Sequence, residues 1–432
     1  MSQFSLPNGL TVVLLPWASL SATAAVGIRS GSRDDPVGFH GSSRLLNGSL
    51  LAGVNHFGEH AFFRATRRHP TWAELARDAD SLCSNYNAYT DWSTQLYVME
   101  SDRRRVRGML RLLGEIIRSP RLTAENVAFE RERIRQECRE FNDEPQERAL
   151  LDLHRLMFPA NGLGHPILGT ERTIERITID HLRALHRRAF VGRRMVLVLA
   201  GGFEPELVKP VIRQVFGPIR AGTSPPKHSL DFHEVKGGLH LFRDGTHQLH
   251  CLVGWPTPGV RDRRRPAIGL IRNMLSHRTS SWLKLGLDSF GHGYSLSDTC
   301  CGLEDIGWYS IYFPMSGDHL REAAQIIGRQ LQRLREHLVS TEELDLAVTN
   351  LSIDTRSRFS EPWASAMFAA QQVLNLGRFI PVRQYLHLVR GFSRRQLRTI
   401  AREVLDPQRM TMVIRGPVNG LRRAQILRAL DP

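Results

Sequence analysis

The sequence predicts an α+β protein made of two homologous domains from an internal duplication, each a sheet packed with helices. Three observations carry this. The first is a repeat. Leu182 to Gly201 reads LRALHRRAFVGRRMVLVLAG and Leu397 to Gly416 reads LRTIAREVLDPQRMTMVIRG. Without a gap, Leu182/Leu397, Arg183/Arg398, Arg187/Arg402, Arg194/Arg409, Met195/Met410, Val198/Val413 and Gly201/Gly416 coincide. Each copy is an amphipathic helix, a short turn and an apolar strand, the same late piece of two similar domains. The second is the stretch Gly217 to Glu234, rich in Pro, Gly and Ser and without periodicity, which reads as a linker. The third is that strand and helix periods are mixed in each half, which argues α+β layers. The predicted organisation is therefore residues 1–216, a linker at 217–234, and residues 235–432.

The elements follow in order. In the first half, Leu10 to Leu15, Ala22 to Ile28, Thr94 to Met99 and Met195 to Ala200 read as strands. The stretch holding His56 and His60, Arg103 to Ile117, Ala124 to Phe141, Asp180 to Ala189 and Glu204 to Val215 read as helices. In the second half, Leu239 to Phe242, Leu249 to Trp255, Trp308 to Phe313 and Met410 to Ile414 are strand candidates. Pro266 to Leu285, His319 to His337, Glu342 to Arg358 and Arg394 to Val404 are helix candidates.

The chain carries the pattern H-x-x-E-H at His56-Phe57-Gly58-Glu59-His60. On a helix, residues i and i+4 lie on one face, so two imidazoles there can hold one metal. Glu59 stays beside that face. A zinc ion with few protein ligands keeps a position for water, and a neighbouring carboxylate can take that water's proton. The plainer alternative is a pair of histidines on a solvated helix. Ala61-Phe62-Phe63 continues an apolar stripe after the motif and argues for a packed helix instead. A zinc site needs a third ligand. Thr123 to Asn142 offers one on a helix that Thr123 can cap. Glu130 and Glu137 lie two turns apart on one face of it. One could ligate and the other support the ligands from behind. Either could equally be one of the many acids that make surface pairs of little worth.

At this point the chain resembles the pitrilysin-type zinc metallopeptidases (inverzincins). Leu6-Pro7-Asn8-Gly9-Leu10-Thr11-Val12-Val13 is similar to the family's opening "NGL-v-v" strand, and Gly31-Ser32-Arg33-Asp34-Asp35-Pro36 to its "GSR-x-E-x" turn. GVNHFGEHAFFRAT, from Gly53 to Thr66, is similar to "GLAHFLEHMLFKGT". Asn87-Ala88-Tyr89-Thr90 matches "NAYT". The family's third ligand follows the second histidine after about 76 intervening residues, which lands on Glu137. Its supporting acid lies seven residues earlier, at Glu130. The resemblance thus implies one Zn2+ per chain on His56, His60 and Glu137, with Glu59 as the base. It also implies two α+β domains, each with a mainly antiparallel sheet and helices on one side. Substrate would add to an edge strand near Asn87 and Ala88.

The same resemblance implies that the second half lacks a metal and supplies an arginine and a tyrosine to hold substrate. Tyr294 matches the tyrosine. The arginine's place falls on or near Asp288, which reverses the charge and loses the five-donor fork. The chain therefore looks like the metal-bearing subunit of a bacterial heterodimer, with a homodimer using Arg278 or Lys284, or a slow enzyme, as the alternatives. The segment Val37 to Leu51 looks longer than the family's usual link and reads as a surface loop.

Composition fits an enzyme of this kind. The chain has 432 residues, 41% hydrophobic and 23% charged, room for sizeable cores. No apolar run is long enough for a transmembrane helix, and the start shows no signal peptide. Five cysteines at irregular spacing, with no C-x-x-C pair, point to a reducing cytoplasm, with Cys300-Cys301 buried. The net charge is +15. No nucleic-acid module accompanies the basic runs and no aromatics interleave them, so nucleic-acid binding is set aside. An acidic peptide or leader segment is the expected substrate. The competing function class is a non-catalytic scaffold or peptide-binding subunit of the same fold.

Overall fold

Apolar runs in the first half pair into one sheet. A computed structural model describes residues 1–35, 51–159, 161–288 and 295–430. The expectations for Tyr294 and for positions 37–50 lie outside the described residues. The strands are β1 (Ser2–Ser5), β2 (Thr11–Pro16), β3 (Ser21–Ile28), β4 (Asn85–Thr90), β5 (Gln95–Asp102) and β6 (Met195–Gly201). They lie in the order β1-β2-β6-β3-β5-β4. Only β2 and β6 run parallel as neighbours; the other pairs are antiparallel.

The second sheet holds β7 (Gly238–Arg243), β8 (Leu249–Pro258), β9 (Ser297–Gly302), β10 (Ile306–Met315) and β11 (Thr411–Gly416), in the order β7-β11-β8-β10-β9. Remove β1, and the two sheets share one topology, each with a late strand inserted parallel to the first and antiparallel to the next. The inserted strands, β6 and β11, end the two copies of the repeat. The α+β duplication read from the sequence is therefore present in the fold.

The helices are α1 (Val54–Phe62), α2 (Trp72–Leu82), α3 (Val106–Arg118), α4 (Ala124–Asp143), α5 (Pro145–Met157), α6 (Glu171–Arg176), α7 (Ile179–Ala189) and α8 (Pro205–Phe216). They continue with α9 (Arg265–Arg272), α10 (Trp282–Asp288), α11 (Leu320–Glu336), α12 (Thr341–Arg358), α13 (Pro362–Leu376), α14 (Val382–Arg390), α15 (Arg394–Val404) and α16 (Arg423–Leu430). The expected helix from Pro266 to Leu285 is interrupted. A π turn at Asn273–His277 follows α9, and Arg278 is extended at φ −93°, ψ 158°. Among the described residues, no helix is long and apolar enough to cross a membrane.

Two units share the chain. The first takes Met1–Glu140, Ala160–Lys227 and Ser357–Ile380; the second takes Phe141–Pro159, His228–Arg356 and Pro381–Pro432. In the first, side chains alternate across the sheet as the pleat requires. Val12, Leu14, Val26, Tyr97 and Leu197 join one core with α1, α3, α7 and α8. Val13, Leu15, Val98, Val196 and Val198 join another with Ala366, Ala369, Ala370 and Val373 of α13. The expectation of helices on one side alone is thus corrected. A strand such as Thr11–Pro16 is apolar on both faces, and both must be covered. In the second unit, α5 packs on β8 and β11, where Leu153 fills the space over Gly254. Cys300 and Cys301 are half-buried, not buried as expected; the Arg265 guanidinium donates to Cys300 Sγ at 3.4 Å.

Candidate metal centre

α1 has no Ser, Thr, Asp or Asn at its own N-cap. Gly53 stands there with φ 90°, a left-handed conformation in which a Cβ would meet Leu168 O at 2.5 Å. The cap comes from elsewhere. The buried Asp35, just after the short turn Ser32–Asp34, accepts from Gly53 N at 2.7 Å and from Asn55 N at 3.2 Å. Its carboxylate also accepts from Asn55 Nδ2 at 2.7 Å. Asn55 is itself fully buried. Its amide donates to Gly31 O, and its Oδ1 accepts from Ser30 Oγ and from Gln95 Nε2, the first residue of β5. Tyr97 then donates to Gln95 Oε1. This chain of buried hydrogen bonds ties the start of α1 to the ends of β3 and β5. At its other face α1 lies close to α7; a Cβ on Gly58 would sit 2.7 Å from Leu185 Cδ2.

That anchoring sets the histidines. His56 and His60 lie one turn apart, their rings edge to face with centroids 4.7 Å from each other. α4 is capped by Thr123, whose hydroxyl accepts from Asn126 N at 3.2 Å, and it presents two acids to them. Glu137 Oε1 lies 3.7 Å from His56 Nε2, and Glu137 Oε2 lies 3.6 Å from His60 Nε2. Candidate ligand atoms of the three residues all fall within 4.8 Å of one another. Such gaps are too long for hydrogen bonds. They approach the ~3.3 Å edge of a tetrahedron whose corners stand 2.0–2.1 Å from a shared ion. Glu130, 1% exposed, accepts from His60 Nδ1 at 3.1 Å. That bond fixes the proton on Nδ1 and leaves the Nε2 lone pair facing Glu137, the carboxylate–histidine arrangement of zinc sites. Arg64 holds the far oxygen of Glu130 at 3.4 Å and lies over the Phe129 ring at 3.9 Å. Among the described residues, buried His56 Nδ1 has no hydrogen-bond partner. Two imidazoles with nitrogens turned to one carboxylate are a donor set that suits zinc.

Glu59 stands beside this group, and Thr90, the last residue of β4, donates its hydroxyl to Glu59 Oε2 at 2.8 Å. Burial raises the Glu59 carboxyl above its ordinary value, against the pull of His60 and of Thr90. Burial pushes His56 down to about 3, with the His60 charge adding to it. Burial would also lower His60, but the Glu130 hydrogen bond and the Glu59 and Glu137 charges raise it overall. Burial raises Glu137, opposed by His60 and Arg133.

β4 is the edge strand of its sheet. It carries exposed Asn87 and half-buried Ala88, the two residues expected to meet substrate. Asp288 ends α10 and is exposed. Arg278 is held by Asp354. In the second unit, helix α9 and its π turn carry no histidine pair. There Asp298 of β9 is bound by Arg272 and His277. Asp35, Asn55, Gln95 and Thr90 were not singled out for these roles from sequence. Asn55 stands where the family pattern has alanine, a departure that could have flagged it.

Burial pushes Asp35 up to about 7, although the Asn55 and Gly53 donors pull the other way. The folded chain therefore keeps a proton at Asp35 up to about pH 7, whereas the unfolded chain releases it near the ordinary 3.8. Asp35 favours folding most below pH 3.8, and that contribution is lost as the pH rises through 7. The stability advantage of the unaltered chain over Asp35→Asn, measured by urea unfolding with chelator present, should shrink between pH 4 and pH 7. A difference that grows over this range would contradict the assignment.

Residues 17–171 match the family model "Insulinase (Peptidase family M16)", and residues 176–351 match "Peptidase M16 inactive domain". An uncharacterized zinc protease of Mycobacterium leprae is 26% identical over 96% of this chain and 91% of its own length. Another from Streptomyces coelicolor is 25% identical over 96% and 89%. The crystal structure of a protease from Helicobacter pylori shares the fold at TM-score 0.84 and 16% identity, covering 96% of this chain and 99% of its own. The two family models lie end to end over most of the chain, in the order of its two halves. The chain belongs to peptidase family M16, the pitrilysin-type family.

Proposed function

We propose that this chain is a zinc-dependent endopeptidase that hydrolyses extended peptides and works with a homologous subunit. The observation that carries the reading is the convergence of His56 Nε2, His60 Nε2 and the Glu137 carboxylate within 4.8 Å, with Glu59 alongside. His56, His60 and Glu137 would hold the ion. Bound there, zinc would polarise the scissile carbonyl and bring a water's pKa toward neutrality. Glu59 takes the proton of the attacking water at its carboxylate and delivers it to the leaving amine. A raised Glu59 pKa suits that exchange, because a base whose pKa lies nearer the working pH can both accept and return the proton. Thr90 aims the carboxylate. Glu130 holds His60 in the tautomer that leaves Nε2 free.

Substrate adds along the open edge of β4, past Asn87 and Ala88, by main-chain hydrogen bonds. That places its backbone beside Thr90 and Glu59. The chain's positive charge favours acidic or leader-like peptides. The subunit half of the reading rests on Asp288, a carboxylate where an arginine is expected to hold substrate. The test is cleavage of an acidic extended peptide by the zinc-loaded chain, alone and with a homologous subunit carrying the Arg/Tyr pair. Slow cleavage alone, fast cleavage with the subunit and none with chelator are expected. Fast cleavage by the chain alone contradicts the subunit half. No zinc-dependent cleavage in either mixture contradicts the peptidase and favours a scaffold.

A further inference from the structure

Three strands of the first sheet end together on the edge remote from the metal centre. β2 and β6 run parallel, and β5 runs the same way because both β5 and β6 are antiparallel to β3. Asp102 and Gly201, the last residues of β5 and β6, pair with Ser21 and Ala22 at the start of β3. The chain then turns into α3 after β5 and α8 after β6. Outside these strand ends lies a cleft of about 660 Å3. This volume falls within the usual small-ligand range.

The walls of the cleft are chemically distinctive. Arg103, Arg104 and Arg107 line it, all exposed. None of their guanidinium groups has a hydrogen-bond or ion-pair partner among the described residues, whereas those of Arg135, Arg148 and Arg264 do. Half-buried Trp17 and Phe203 also line it, with Glu204 as the one acid in the lining. Three guanidiniums against one carboxylate leave the cleft net positive. Guanidinium forks match phosphate oxygens two at a time. Flat rings match an aromatic base. Asn55 of α1 meets β5 at Gln95, its first residue, while Arg103 follows Asp102, its last. At 3.3 Å per residue the two ends are roughly 23 Å apart, so this cleft is separate from the metal centre.

We infer that the cleft formed by Trp17, Arg103, Arg104, Arg107 and Phe203 is a binding site for a small aromatic polyphosphate of the nucleoside diphosphate class. The test uses ADP as probe, titrated calorimetrically into the full-length chain at fixed ionic strength with magnesium in excess. The unaltered chain should bind ADP saturably. The Arg103→Ala/Arg104→Ala/Arg107→Ala chain should bind about tenfold more weakly or worse, and Trp17→Ala should weaken ADP without weakening inorganic triphosphate. A His60→Ala chain should bind ADP as the unaltered chain does, which separates this cleft from phosphate captured by zinc. The altered arginines are exposed, so these chains should melt as the unaltered chain does. No saturable ADP binding, equal binding by the triple variant, or loss of binding in His60→Ala would each overturn the inference. So would a Trp17→Ala chain that holds ADP unchanged.

Discussion

A Glu59→Gln chain keeps its zinc and loses turnover, with the cleavage rate falling by about 10²- to 10⁴-fold or more. The substitution is nearly isosteric. The amide oxygen of Gln can still accept from Thr90 Oγ1, which lies 2.8 Å from Glu59 Oε2. The three ligand side chains, on α1 and α4, are untouched. What disappears is a group that can be ionised. Glu59 sits where burial raises its pKa above the ordinary carboxylate value, and among the described residues no other carboxylate is placed to substitute. Glu130 is taken up by His60 and Arg64. Glu137 faces the two imidazoles. The measurement is kcat on an extended peptide alongside zinc content. A Glu59→Gln chain with full zinc and the unaltered rate would remove Glu59 from the chemistry.

The second large effect concerns a residue outside the motif. Replacing Asp35 by Ala should lower the unfolding free energy by about 3 kcal/mol, because three buried donors lose their acceptor at once. They are Gly53 N, Asn55 N and Asn55 Nδ2. Their separate costs of roughly 1–3 kcal/mol each do not add in full, since α1 can shift to recover some bonds. That shift is the functional consequence. α1 carries both imidazoles, and zinc affinity depends on their spacing to Glu137, so zinc binding should weaken together with stability. Urea unfolding and a competitive zinc titration check the two halves. An Asp35→Ala chain within about 1 kcal/mol of the unaltered one, with the same zinc affinity, would show that α1 is held by its packing on α7 alone.

These two residues mark what could and could not be read from sequence. The H-x-x-E-H pattern and the seven-residue spacing of Glu130 and Glu137 are local helical facts, and the fold brings those four residues and Glu59 together. The repeat ending in β6 and β11 was equally legible, because helix, turn and strand are short-range. Asp35 is different. Its partners are 18 and 20 residues away, across a segment whose length says nothing about closure. Thr90 reaches Glu59 only because β4 folds beside α1. The helices α5 and α13 were missed for a shared reason. Each opens with a proline, Pro145 and Pro362, at its first turn. Proline reads as a breaker in a sequence, yet it fits the first turn of a helix, where the missing N–H costs nothing. The break after α9 escaped because apolar periodicity continues through a π turn whose extra residue shifts the register without erasing it.

The most direct test of the account is zinc content by elemental analysis of the folded chain after equilibration with zinc and desalting. The account predicts one zinc per chain for the unaltered protein and almost none for His56→Ala, His60→Ala or Glu137→Ala, each still folded. An unaltered chain without stoichiometric zinc, or a Glu137→Ala chain that keeps it as tightly, would contradict it.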